Sequence, residues 1–108
     1  IGDPSSVEPL KAIMNAPENH PNLRINAAEA LGNIGDRGSV EPLTAIMNDR
    51  AIDVFLRMNA AEALGNIGDR ESVAPLTVIM DAEVAPPVLR CHAATALATL
   101  LRRLNTSD

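Results

Sequence analysis

Cys91 and His92 stand side by side in LRCHAATALAT, and a thiol beside an imidazole is the raw material of a cysteine nucleophile. That chemistry needs the base within hydrogen-bond reach of the sulfur and a third group to orient the base. Consecutive residues on a helix point about 100° apart, and no orienting residue is apparent nearby. The pair therefore reads as an inert, partly exposed thiol next to a polar neighbour. His20, the other histidine, lies in a connection without the His, Cys or carboxylate spacing of a metal site. The sequence thus offers no catalytic residue, no metal ligand set and no cofactor-binding motif, and the expectation is that the chain is not an enzyme.

The elements around these residues are repetitive. NAAEALGNIGD runs from Asn26 to Asp36 and again, unchanged, from Asn59 to Asp69. Aligning Ile1, Ile34 and Ile67 gives a period of 33 residues and units 1–33, 34–66 and 67–108. Each unit holds two helices. In VEPLKAIM, Val7, Leu10, Ile13 and Met14 form an apolar stripe, repeated by Val40, Leu43, Ile46 and Met47 and by Val73, Leu76, Ile79 and Met80. Ser6, Ser39 and Ser72 stand where a hydroxyl can accept from first-turn amides. Pro9, Pro42 and Pro75 fall in the first turn, where a missing N–H costs nothing. The preceding Gly-Asp is a tight connection suited to a short 3₁₀ turn.

The second helix carries Leu23, Ala27, Ala30, Leu31 and Ile34 on one face, matched by Leu56, Ala60, Ala63, Leu64 and Ile67. Pro21 and Pro87 fit the first helical position and Asp53 fits an N-cap. Gly32 and Gly65 are expected to end this helix through the left-handed cap conformation. In the last unit ALGNIGD gives way to ALATLLRRLNTSD, so the final helix runs on as a cap, with Arg102 and Arg103 near its dipole-negative end. A lone helix pair cannot bury its own apolar faces, whereas stacked pairs bury all but the ends.

LR-x-x-AAEALGNIGD-x-x-SVEPL resembles the HEAT-like repeat of the phycobilisome-lyase type, written VR-x-x-AA-x-ALG-x-IGD followed by AV-x-PL, over essentially the whole chain. The extra residues of this longer period fall in the connections NAPENHPN, NDRAIDVF and DAEVAPPV. The resemblance implies an all-α fold, a right-handed α-solenoid of about six helices, whose commonest role is to bind other proteins. It also implies that the chain starts with the second helix of a pair whose partner is missing. On this reading the chain is a fragment of a longer protein, or its first helix associates with another copy. Arg24, Arg57 and Arg90 recur at one place. In related solenoids such an arginine pairs with an acidic or amide group near a helix end and holds adjacent repeats in register. Asp49 and Asp81 are candidates here, with Asn15 in the first unit.

On a helical wheel from Leu23 the core residues cluster within roughly 80°, while Ile25, Asn26, Glu29 and Asn33 fall between roughly 200° and 300°. Their counterparts are Met58, Asn59, Glu62 and Asn66, then Cys91, His92, Thr95 and Thr99. The resemblance puts this face on the concave side, as an Asn/Glu ladder beside an apolar column of Ile25, Met58 and Cys91. Phe55, the sole aromatic, falls near it as a possible anchor. The expected partner is a protein with basic or amide-rich patches.

Other members of the wider HEAT-like group are enzymes. The di-iron deoxyhypusine hydroxylases place a His-Glu pair after the repeat's Val-Arg. Here those places hold Ile25-Asn26, Met58-Asn59 and Cys91-His92, so that iron site is not expected. Phycobilin lyases supply the runner-up reading, a subunit or fragment of an enzyme complex. HEAT-like DNA glycosylases use a basic concave surface, whereas this one carries Glu29 and Glu62. A net charge of −5 also argues against nucleic acid. The single cysteine excludes an intrachain disulfide and suits a reducing, cytoplasmic setting. No membrane-length apolar run is present. With one Phe and no Trp or Tyr, the core must be aliphatic.

Overall fold

The computed structural model describes residues 4–106; the opening Ile-Gly-Asp and the last two residues lie outside the described residues. Six helices follow one another: α1 (Val7–Asn15), α2 (Pro21–Ile34), α3 (Val40–Asn48), α4 (Val54–Ile67), α5 (Val73–Asp81) and α6 (Pro87–Thr106). Short 3₁₀ turns, Pro4–Ser6, Arg37–Ser39 and Arg70–Ser72, lead into α1, α3 and α5. There is no strand among the described residues. The long helices α2, α4 and α6 pack side by side in one layer, and each short helix packs on the long helix that follows it. The shortest dimension, 17 Å, is that of two helix layers. This is the expected α-solenoid.

The helix boundaries follow from local chemistry. Pro21 opens α2 and Pro87 opens α6, while the Asp53 carboxylate accepts from the amides of Phe55 and Leu56 at the start of α4. The serines behave otherwise than expected. Each stands at the end of a 3₁₀ turn with helical backbone angles, so none of the three caps the following helix through its side chain. Ser39 Oγ instead donates to Asp36 Oδ2 at 3.0 Å.

The glycine stops also lie elsewhere. α2 and α4 run through Gly32 and Gly65 to Ile34 and Ile67, and end on Gly35 and Gly68, whose φ values are 79° and 78°. Gly32 and Gly65 serve packing. A Cβ on Gly32 would lie 2.9 Å from both Cα and Cβ of Ala63, and one on Gly65 would lie 2.7 Å from the Ala96 carbonyl oxygen. The long helices approach so closely that one of each facing pair has no room for a methyl group.

The core is aliphatic as composition required: its large fully buried side chains include Met14, Leu31, Met47, Leu64, Leu89 and Leu100. The first helix, α1, packs along α2 and buries Val7 and Met14. Leu23 is another departure. Its repeats Leu56 and Leu89 are fully buried, yet Leu23 is 46% exposed, so this position faces the preceding pair.

Candidate functional site

The predicted ladder lies on the open side of the long-helix layer. Its side chains come from α2, α4 and α6 at one repeating position, because 33 residues return the chain to the same point of the unit. Asn26, Glu29 and Asn33 on α2 are exposed; on α4 Glu62 is exposed and Asn59 and Asn66 are half-buried; on α6 Cys91 and Thr95 are exposed and His92 and Thr99 half-buried. None is sealed between layers.

Two crevices run between these helices. The larger, about 260 Å³, lies between α4 and α6 and is lined by Glu62, Asn66, Cys91, His92, Thr95 and Thr99. The smaller, about 50 Å³, lies between α2 and α4 and is lined by Glu29, Asn33, Asn59, Glu62 and Asn66. Glu62 and Asn66 border both, so the strip is continuous across the three repeats. Its carboxylates, Glu29 and Glu62, form no ion pair among the described residues.

Some of the strip is committed elsewhere. Asn59 donates from Nδ2 to the Phe55 carbonyl at 2.8 Å, and His92 Nδ1 lies 2.9 Å from the Val88 carbonyl, so both lie back along their own helices. With the imidazole held on main chain, it is poorly placed to activate the neighbouring thiol. The apolar column is only partly open: Ile25 and Met58 are half-buried against the core, and Cys91 alone is exposed. Phe55 lines neither crevice and is 59% exposed.

The arginines are placed by a different rule from the one expected. Arg24, Arg57 and Arg90 donate from Nε to the carbonyls of Met14, Met47 and Met80 at 2.7, 2.9 and 2.9 Å. Those carbonyls sit in the last turn of each short helix, where intrahelical donors run out and the dipole favours a cation. The bond joins the two helices of one unit, rather than adjacent repeats through Asn15, Asp49 or Asp81. A backbone acceptor has no signature in the sequence, which is why side-chain partners were the natural expectation.

Among the described residues no three His, Cys, Asp or Glu side chains gather closely enough to hold a metal ion. No helix among them is long and apolar enough to cross a membrane.

Residues 7–98 match the family model described as HEAT repeats. No curated protein sequence matches significantly. Among solved structures the chain is similar to human deoxyhypusine hydroxylase in complex with glycerol, with a TM-score of 0.82 and 22% identity. The match covers 99% of this chain and 36% of the hydroxylase chain. That finding corrects the expectation that the chain is no enzyme: an enzyme shares its architecture along nearly its whole length, so the repeat fold gives no ground for setting catalysis aside. At this identity the likeness carries the fold alone. The family model, covering most of the sequence, carries more: the chain belongs to the HEAT-repeat family.

Proposed function

We propose that this chain is a protein-binding module that engages its partner along the exposed strip of the long-helix layer. The strip comprises Ile25, Asn26, Glu29 and Asn33 on α2, Phe55, Met58, Asn59, Glu62 and Asn66 on α4, and Cys91, His92 and Thr95 on α6. The observation that carries this reading is its continuity: Glu62 and Asn66 border the crevices on both sides of α4, in a layer whose core needs neither residue. Two unpaired carboxylates beside amides favour a partner presenting basic or amide-rich groups. Phe55 would supply an aromatic anchor at the strip's border. The finer kinship, to the phycobilisome-lyase type of repeat, belongs to the same proposal and rests on the duplicated ALGNIGD. So does a cytoplasmic setting, which suits the exposed, unpaired Cys91.

The test is capture of the partner by wild type and by a Met58→Arg, Glu62→Arg double variant that reverses charge at the centre of the strip. Loss of capture in a variant that still folds is expected; unchanged capture would remove the strip from consideration. A second contact, self-association through the first helix pair, is supported by exposed Leu23 and half-buried Leu10 and Ile13. Light scattering should show a dimer that Leu23→Glu dissolves, and a monomer at high concentration would count against it.

A second reading, that the chain is part of a HEAT-fold enzyme, is favoured by its match to the hydroxylase over 99% of its own length. Turnover of a deoxyhypusine-containing peptide, or bilin-dependent absorbance on mixing with pigment and a phycobiliprotein, would turn the assignment toward it.

A further inference from the structure

Away from the strip, two further crevices lie where the connection within one helix pair meets the next pair, and they are copies of each other one period apart. The first, about 580 Å³, is lined by Arg24, Ala45, Ile46 and two carboxylates, Asp49 and Asp53. The second, about 440 Å³, is lined at the same places by Arg57, Val78, Ile79, Ala82 and Pro86, and Arg50 stands where the first has Pro17. The repeat has therefore exchanged a crevice with one cation and two anions for one with two cations and no anion.

Arg57 makes the second crevice unusual. It is only 6% exposed, and among the described residues its one side-chain hydrogen bond runs from Nε to the Met47 carbonyl. Neither Arg57 nor Arg50 forms an ion pair among them. A guanidinium left with little water and no carboxylate is costly, and its planar fork is the shape that receives one. Beside it stand Val78 and Val84, 64% and 78% exposed, aliphatic side chains spent on solvent. We propose that this crevice binds an acidic peptide segment, seating a Glu or Asp carboxylate on Arg57 and Arg50 and an adjoining aliphatic side chain against Val78, Val84 and Pro86. The sister crevice holds its own carboxylates and is not expected to take such a segment. The site shares no residue with the strip on the long helices, so either assignment can fail without the other.

The probe is an acetylated, amidated peptide of alternating Glu and Val, compared with its Gln twin and with the Gln twin carrying a free C-terminus. Methyl signals of Val78 and Val84 and the Nε–H signal of Arg57 report occupancy. The Glu peptide should shift them and neither Gln peptide should. Arg50→Glu, and separately Ala82→Asp with Pro86→Asp, should each weaken binding about tenfold or more. The latter pair restores residues that the sister crevice already accommodates, so a folded variant is expected. The proposal is overturned if the Glu peptide shifts nothing, if its Gln twin binds as well, or if only the free-terminus peptide binds. Shifts confined to Glu62, Cys91 and Thr95 would likewise overturn it.

Discussion

At the residue scale, near-identical repeats let two copies of one residue type serve as controls for each other. The LGNIG segment carries two glycines with different duties. Gly32 and Gly65 allow helix contact, and Gly35 and Gly68 allow a left-handed stop. Mid-helix Gly→Ala alone would gain about 1 kcal/mol. At Gly65 the added methyl would meet main chain on α6, which cannot swing aside, and overpacking costs about 1–3 kcal/mol. Gly65→Ala should therefore lower stability in urea unfolding, and an unchanged or raised midpoint would contradict the contact. The serines differ too: Ser39 Oγ bonds to Asp36, whereas the buried Ser72 Oγ has no partner among the described residues, its Asp69 accepting instead from the Glu71 amide. Ser39→Ala is expected to cost about 1 kcal/mol, and Ser72→Ala to be neutral or stabilising. Equal losses in thermal melts would refute the distinction. Sequence marks both serines alike, because a serine that ends a 3₁₀ turn and one that caps a helix both stand just before the first helical residue.

At the element scale, the unit is a short helix tied to the long helix after it by one arginine. Arg57 is buried and Arg24 half-buried, though both bonds have the same form. Replacing Arg57 with Met leaves the Met47 carbonyl without its donor and should cost about 1.5–3 kcal/mol, the range for bonds to charged groups. Arg24→Met should cost less, since water can reach the Met14 carbonyl. Denaturant midpoints of the two variants decide this, and equal shifts would show that burial does not set the bond's worth. The helices themselves were legible from apolar spacing, from proline in first turns and from Asp53, because these signals act within one turn of chain. The arginine's acceptor, the closeness of α4 to α6 and the exposure of Leu23 were not. Each depends on a neighbour that local sequence does not name. Ala98 illustrates this: it stands where Gly32 and Gly65 stand, yet it is exposed, because no described helix packs on that side of α6.

At the scale of the whole molecule, stacking uses one face of each long helix and leaves another open, so a repeat built for its own stability yields an aligned polar strip as a by-product. The strip's positions were readable from a helical wheel, since the period fixes both faces at once. Its crevices and the tethering of Asn59 and His92 were not, since they come from packing and rotamer choice. The charged crevice at the connections was also missed. Its signal lay in the departures between units, Asp49 to Ala82 and Asp53 to Pro86, rather than in what they share. The protein supplies its own handle on the central claim, because Cys91 is its sole thiol, is exposed and lines the larger crevice of the strip. A thiol-linked photocrosslinker on Cys91 should join covalently to the same protein that wild type captures, and the yield should collapse with Glu62→Arg. In a Cys91→Ser background, the same probe on Ala74→Cys, an exposed position on the short helix α5, should give little of that product. Equal crosslinking from both positions, or capture with no adduct at Cys91, would contradict the account.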